Sequence, residues 1–164
     1  LILNQKESFV FKGRNRRPPK DAVNAMLSFV YTLISNDVTA ALETVGLDPY
    51  VGFMHALRPG RPSLALDIME ELRAYLGDRL VLSLINRKQI TGNQFLQQGD
   101  ESIIMTDDAR RTIISAWQAR KKEQIQHPFL NEKVSIGLLP HIQAMMLARY
   151  LRNDLDDYPV FLIQ

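Results

Sequence analysis

Cysteine is absent from this chain of 164 residues. Its absence excludes disulfide crosslinks, zinc sites built on thiolates and a cysteine nucleophile. Long apolar runs are also missing, because no segment approaches the roughly 20 residues needed to cross a bilayer. The sequence has no glycine-rich phosphate loop, no Ser-His-Asp order and no paired-histidine zinc spacing. These absences exclude several common enzyme classes and fit a cytoplasmic protein.

A strong excess of charge of one sign is missing too, since the formal net charge is only +2. Bulk charge therefore gives no argument for nucleic-acid binding. The basic residues are nevertheless clustered, and such clusters are either solvated surface or phosphate-binding patches. The clusters are Arg14, Arg16, Arg17 and Lys20; Arg58 and Arg61; Arg110 and Arg111; and Arg120, Lys121 and Lys122.

Length and composition predict one globular domain, with 46% hydrophobic and 23% charged residues. The chain begins at Leu1 in the middle of a pattern, as though cut from a longer protein. We therefore expect a fragment of a longer chain, in which residues 1–12 end a helix that begins upstream.

Hydrophobic spacing, capping residues and breakers predict a mainly α, multi-helix domain with one short β-hairpin near residues 94–105. Asp21 is expected to cap the first helix, which Gly46 ends, while Ser63 and Thr106 are expected to cap two later helices. The predicted helices cover 21–44, a short segment from 48 to 55, 63–75 with a break at 77–78, an apolar segment at 80–86, 106–122, and 136–152 with Pro140 near its start.

The most informative segment contains His55, a turn rich in proline and arginine, and a helix carrying Asp67 and Glu70. Residues three apart are neighbours on a helix, so the two carboxylates are expected to converge. One imidazole with carboxylate oxygens is a donor set for a hard divalent metal near a phosphodiester. This hypothesis requires His55 to fold back onto the acidic face of the helix.

A simpler interpretation of the same helix is a solvated polar face. At about 100° per residue, Asp67, Glu70 and Glu71 lie together, opposite the apolar side. His127 and His141 each sit beside a proline, and we expect them to be loop or helix-start residues rather than ligands. Asn24, near the start of an apolar helix, is either a capping or helix-packing residue or a group that orients a ligand.

Several ordered blocks of sequence carry a family resemblance, and together they cover nearly the whole chain. They are residues 16–31 (RRPPKDAVNAMLSFVY), 46–55 (GLDPYVGFMH), 61–70 (RPSLALDIME), 139–144 (LPHIQA) and 154–159 (DLDDYP). These blocks resemble the C-terminal helical domain of the CRISPR-associated spacer-acquisition integrase. Residues 58–63 (RPGRPS) most resemble the type I-C subgroup of that family.

The resemblance implies a small β-rich N-terminal domain followed by an α-helical catalytic domain. It also implies a metal site formed by a glutamate, a histidine and an acidic residue. His55 matches the histidine, Glu70 matches the metal-binding acid, and Asp67 matches its partner acid. Arg73 falls where the family places a basic DNA-contacting residue, and Arg58 and Arg61 are expected to contact phosphates as well.

The sequence departs from the family pattern at the metal-binding glutamate. That residue belongs to a helix upstream of the Arg-Pro-Pro block, and Glu7 lies too close to the block to match it. The β-rich domain has no counterpart either. Residues 1–164 are therefore expected to be the C-terminal catalytic domain with about half of the metal site, and to be inactive or impaired alone.

The resemblance implies a metal-dependent DNA endonuclease and integrase of antiviral defence. It would insert foreign DNA spacers into a CRISPR array by attack of a 3′-hydroxyl on a phosphodiester. The expected cofactor is Mn²⁺ or Mg²⁺. The expected partners are DNA, a second copy of the full-length protein and a small ferredoxin-like second CRISPR-associated subunit, with no membrane. The alternative is a non-catalytic helical module that binds nucleic acid or protein.

Overall fold

The computed structural model describes residues 1–15 and 18–162. It is about 51% helical, and its few strands form two small antiparallel sheets, which confirms the mainly α class. The helices are α1 (Ala22–Thr44), α2 (Ser63–Arg73), α3 (Arg79–Asn86), α4 (Asp107–Lys121) and α5 (Leu139–Leu151). The strands are β1 (Phe95–Gln97), β2 (Ile103–Met105), β3 (Gln124–Gln126) and β4 (Lys133–Ser135).

The chain is divided into two compact units. Leu1–Thr32 and Leu76–Ala119 form the first, in which Phe9 is buried with its ring edge-on to Phe95. Leu33–Tyr75 and Arg120–Gln164 form the second, in which α2 packs against α5. The second unit contains the predicted site at His55, Asp67 and Glu70.

Helix α1 forms as its pattern predicts. The Asp21 carboxylate accepts a hydrogen bond of 2.7 Å from the Asn24 amide and so caps the first turn, while Gly46 has φ +82° just after the last turn. Contrary to our expectation from apolar runs, α1 is long and apolar enough to span a membrane by length and composition alone. Its fully buried stripe at every fourth residue is instead typical of a core helix: Met26, Val30, Ile34, Val38 and Leu42.

Two predicted helical segments are wrong. Residues 1–12 contain turns but no helix, and residues 48–55 form an irregular loop. The loop is not helical because its backbone groups bond to another element: the amides of Phe53, Met54 and His55 donate to the Asp67 side chain on α2. Pro49 lies in a turn and does not start the predicted helix. No local signal shows that those amides find acceptors on another element.

The location of α2 was predicted correctly, but the predicted capping residue and the predicted break after the helix are wrong. Pro62 is the N-cap residue, and Ser63 makes no capping bond because its hydroxyl donates to the Ala56 carbonyl at 3.2 Å. At the other end, Gly77 does not break the helix. A five-residue π-helical turn, Ala74–Asp78, joins α2 to α3 instead.

The predicted hairpin is confirmed, with Leu96 paired to Ile104 between β1 and β2. Thr106 caps α4 as expected, since its hydroxyl accepts a bond from the Ala109 amide at 3.3 Å. A second hairpin, β3–β4, was not predicted and lies on either side of the expected break at residues 127–128. Its strands have three residues each and little β pattern, and the turn between them contains the buried His127.

Candidate metal and nucleic-acid site

The site begins with a loop, residues 48–55, laid across the first turns of α2. The Pro49 carbonyl accepts hydrogen bonds from the amides of Leu64 and Ala65, at 2.9 and 3.2 Å. These amides belong to the first helical turn, whose donors have no partners within the helix. The loop therefore caps α2 with its own backbone and is held there at one end.

The other end of the loop is held by the carboxylate of Asp67. Oδ2 accepts from the amides of Phe53 and Met54, at 2.6 and 3.0 Å. Oδ1 accepts from the amide of His55 at 3.0 Å and lies 2.5 Å from its ring Nδ1. A carboxylate has about four acceptor positions, so the chain itself fills all of them.

These contacts determine the ionisation of Asp67 and the direction of the His55 ring. Burial of Asp67 tends to raise its pKa, but the hydrogen bonds from the ring and from three amides outweigh it and hold the pKa below its usual value. An ionised Asp67 assigns the proton of the neutral ring to Nδ1, which leaves the lone pair of Nε2 available. A carboxylate that fixes a histidine in this way is typical of metal-binding histidines.

Glu70 does not join this cluster. Its two carboxylate oxygens pair with the two terminal nitrogens of Arg73, at 3.0 and 2.9 Å, and both side chains are about one-third exposed. Asp67 and Glu70 thus have different partners, and their predicted convergence is not seen among the described residues. Arg73, expected at a DNA phosphate, contacts Glu70 here.

The donor set fits a hard divalent ion only in part. His55 offers one imidazole nitrogen and Glu70 one carboxylate, both types that Mn²⁺ and Mg²⁺ accept. Within residues 1–15 and 18–162, no group of three His, Cys, Asp or Glu side chains is arranged to hold a metal. A complete site of the predicted kind therefore requires at least one further ligand.

The predicted phosphate-binding residues differ in environment. Arg58 is exposed, Arg61 is half-buried, and both lie in the turn that links the loop to α2. Arg110, Arg111 and Lys122 are exposed, on or just beyond α4. Arg16 and Arg17 lie outside the described residues.

Asn24 is completely buried, and its amide group holds the segment before α1 in place. Its oxygen accepts bonds from the Arg14 side chain and the Asn15 amide, at 2.7 and 3.0 Å. Its nitrogen donates to the Gly13 carbonyl and to Asp21. These bonds account for its burial, and a role for Asn24 in orienting a ligand stays a prediction.

A buried polar network around Glu71 was not predicted from the sequence. The Glu71 carboxylate accepts bonds from the Tyr158 hydroxyl, from the Phe161 amide at 2.6 Å and from the Gln143 side chain at 2.9 Å. Burial raises the pKa of Glu71, although these three donors act in the opposite direction. Burial and the Glu71 charge raise the pKa of Tyr158. The solvated-face interpretation is therefore wrong for Asp67 and Glu71.

The network continues to His127 in the turn of the second hairpin. The ring accepts bonds at Nδ1 from the amides of Phe129 and Leu130, so Nε2 carries the proton and donates to the Gln143 oxygen at 3.2 Å. Burial lowers the pKa of His127 and favours this neutral ring. His127 is thus a buried turn residue and His141 lies in the first turn of α5, as we expected for both.

Comparison with known proteins decides the family. The family model described as CRISPR associated protein Cas1 matches residues 1–119. The chain belongs to the Cas1 family. It corresponds to the C-terminal part of Cas1. A "CRISPR-associated endonuclease Cas1 1" from Chlorobaculum tepidum is 60% identical over 154 residues, which cover 94% of this chain and 45% of that protein.

Solved structures agree with this assignment. A CAS1 protein from Thermotoga maritima is similar with a TM-score of 0.82 and 30% identity, covering 91% of this chain and 46% of that one. A chain of a "Cas6-RT-Cas1--Cas2 complex" has a TM-score of 0.81 and 27% identity, covering 96% of this chain and 17% of that one. The Cas1 chain described here spans about half the length of the curated relatives it matches.

Proposed function

We propose that residues 1–164 are the helical catalytic part of a metal-dependent DNA endonuclease and integrase. In the whole protein, the reaction is insertion of foreign DNA spacers into a CRISPR array. A DNA 3′-hydroxyl attacks a phosphodiester, a new phosphodiester forms and the original 3′ oxygen leaves. The observation that carries the proposal is the contact of 2.5 Å between His55 Nδ1 and Asp67, which orients Nε2 as a ligand.

Each residue of the site has a proposed role. His55 and Glu70 hold a Mn²⁺ or Mg²⁺ ion, and Asp67 fixes the tautomer and direction of the His55 ring. An ion held there would supply activation of the attacking hydroxyl and would offset negative charge on the phosphoryl group. Arg58 and Arg61 bind phosphates, and Arg73 does so or holds Glu70 in position.

The proposal includes a further ligand in addition to the two that residues 1–15 and 18–162 offer, His55 and Glu70. A glutamate from the remaining part of a full-length Cas1 would complete the site, because His55 and Glu70 alone are too few. We therefore expect little or no nuclease activity from the 164-residue chain by itself. Robust metal-dependent cleavage by the purified chain would contradict this.

The proposed partners belong to the whole protein. They are DNA, a second Cas1 copy and a small ferredoxin-like second subunit, in the cytoplasm and without a membrane. A relative whose structure is a complex of Cas1 with Cas2 supports the choice of second subunit. The type I-C subgroup stays a prediction from residues 58–63.

The test uses full-length Cas1 that carries this sequence as its C-terminal part. His55→Ala removes the nitrogen ligand, so strand transfer and metal-dependent cleavage should be lost, as measured with labelled DNA and Mn²⁺. His141→Ala is the matched control, because His141 lies in a different cleft, beside Asp37 and Lys121. Activity of His55→Ala equal to the wild type would end the proposal.

A non-catalytic nucleic-acid-binding module is the second candidate. It is favoured by the missing three-ligand cluster among the described residues and by the exposed side chains of Arg110 and Arg111. The two functions differ in a titration of the full-length protein. Mn²⁺ binding that is lost on changing His55 and Glu70 supports the enzyme. Salt-dependent DNA binding that is indifferent to both residues, without Mn²⁺ binding, supports the module.

A further inference from the structure

Gly52 lies in the loop between its two anchors, and there is no room for a side chain at this position. A β-carbon at Gly52 would lie 2.7 Å from the backbone carbon of Ser63 and 2.8 Å from the Ser63 Cβ. It would also lie 2.8 Å from Oδ2 of Asp67. Two of these atoms belong to the rigid first turn of α2, so rotation of a flexible side chain cannot relieve the overlap.

The need for glycine here is a need for space. Gly46 and Gly60 have φ of +82° and +72°, a backbone region that other residues rarely adopt, but a β-carbon at either meets nothing within 4 Å. Gly52 has no such φ and meets three atoms closer than 3.0 Å. Gly99 has neither feature, which makes it the matched control.

We propose that Gly52 is a positioning residue of the catalytic site. Its bare backbone lets the loop approach α2 closely enough for Asp67 to hold three successive amides and the His55 ring. This inference rests on the proposed function, because it concerns the orientation of the same Nε2 atom. The backbone carries the effect, since the Phe53 and Met54 side chains themselves are 67% and 70% exposed.

A methyl group at Gly52 changes the geometry that follows it. Ordinary contact begins at 3.4 Å, so the loop must move away from Ser63 by several tenths of an ångström or more. The first hydrogen bond that Asp67 accepts from the loop, from the Phe53 amide, comes one residue later in the chain and lengthens with that shift. The ring bond of His55 to the same carboxylate weakens in turn, because hydrogen bonds lose strength steeply with distance and angle.

The test measures the tautomer of the His55 ring by NMR. The chain contains three histidines, so ¹⁵N labelling of histidine gives a spectrum with few signals. In the wild type we expect His55 to show a proton on Nδ1 and a bare Nε2. In Gly52→Ala we expect that signature to be lost or averaged between tautomers, while the signals of the buried His127 stay in place and report an intact fold. Gly99→Ala should leave both histidines unchanged.

Activity provides the second measurement, in full-length Cas1 with Mn²⁺ and labelled DNA. Disturbing a residue that orients a metal ligand costs about 10- to 100-fold in activity, so Gly52→Ala should fall in that range while DNA affinity and Gly99→Ala stay near the wild type. An unchanged His55 signature in Gly52→Ala would overturn the inference. Simultaneous loss of the His127 signals would overturn it too, since the effect would then be global unfolding.

The outcomes separate this inference from the proposed function. An inactive His55→Ala with a fully active Gly52→Ala refutes the role of Gly52 and leaves the enzyme proposal standing. An active His55→Ala refutes the enzyme proposal. In that case, a His55 ring displaced by Gly52→Ala would still show that Gly52 sets the loop geometry.

Discussion

Two carboxylates on α2, Asp67 and Glu71, lie one helical turn apart and have opposite environments. Both accept hydrogen bonds from several donors of the same compact unit. Hydrogen bonds hold the pKa of Asp67 below its usual value, whereas burial raises the pKa of Glu71. The difference shows that the number of donors alone does not decide the charge of an acid. The balance between the donors and desolvation decides it: the hydrogen bonds prevail at Asp67 and desolvation prevails at Glu71.

The two acids also differ in the origin of their donors. Those of Asp67 come from a loop 12 to 14 residues earlier, and one of them is the half-buried ring of His55. Those of Glu71 come from Gln143, Tyr158 and Phe161, between 72 and 90 residues later. Asp67 therefore orients a group that a ligand can reach, and Glu71 ties the end of the chain to α2.

The largest expected effect is on stability, at Glu71. Glu71→Ala leaves the Tyr158 hydroxyl, the Phe161 amide and the Gln143 amide without their acceptor, which should reduce the free energy of unfolding by about 3 kcal/mol. Urea denaturation of the chain measures this. Glu70→Ala is the matched control, and it should cost less than about 1 kcal/mol because its pair with Arg73 is partly solvated. Equal losses of unfolding free energy in Glu71→Ala and Glu70→Ala would contradict the structural role of the Glu71 network.

The next effect is on activity, at Asp67. Asp67→Asn keeps the size of the side chain but replaces an acceptor with a donor, so the His55 ring loses its fixed tautomer. In full-length Cas1 we expect metal-dependent activity to fall by about 10- to 100-fold. Asp107→Asn, at an exposed residue in the first turn of α4, should change little. A fully active Asp67→Asn would show that the hydrogen bonds from the loop to Asp67 serve folding alone.

The smallest effect is a pH dependence that has opposite signs at the two acids. The folded pKa of Glu71 lies above its ordinary 4.5, so its contribution to stability is complete below the unfolded pKa and declines as pH rises through the folded pKa. The lowered pKa of Asp67 contributes stability above its unfolded pKa that is lost as pH falls through the folded value.

Glu71→Gln and Asp67→Asn remove the two titrations one at a time. The free energy of unfolding, measured by urea denaturation from acid to neutral pH, gives each difference from the wild type. With rising pH, the wild type should lose stability relative to Glu71→Gln and gain it relative to Asp67→Asn. Differences that stay flat across the range would contradict both assignments.

Elements with a strong local pattern were predicted well. The apolar spacing of α1, its Asp21 cap and Gly46 all act within a few residues, and so does the pattern of the β1–β2 hairpin. The helical prediction for residues 48–55 failed because their amides bond to a side chain on another element. The second hairpin was missed because its two strands have only three residues each and little β pattern.

The candidate site was predicted in part. The metal-site hypothesis required His55 to fold back onto the acidic face of α2, and the ring does so at Asp67. The sequence did not indicate that Asp67 has all four acceptor positions filled, that Glu70 pairs with Arg73, or that Gly52 must lack a side chain. These features depend on distances between segments, and spacing along a single helix does not contain them.

The amino-acid sequence alone determined the helical class, most helix positions and the family, because periodicity, caps and ordered blocks of residues are local properties of the chain. Only the tertiary structure decided which acid holds the histidine, which acid pairs with Arg73 and where the loop amides find acceptors. The physical reason is that every buried polar group needs a partner, and the partner is often far away in sequence.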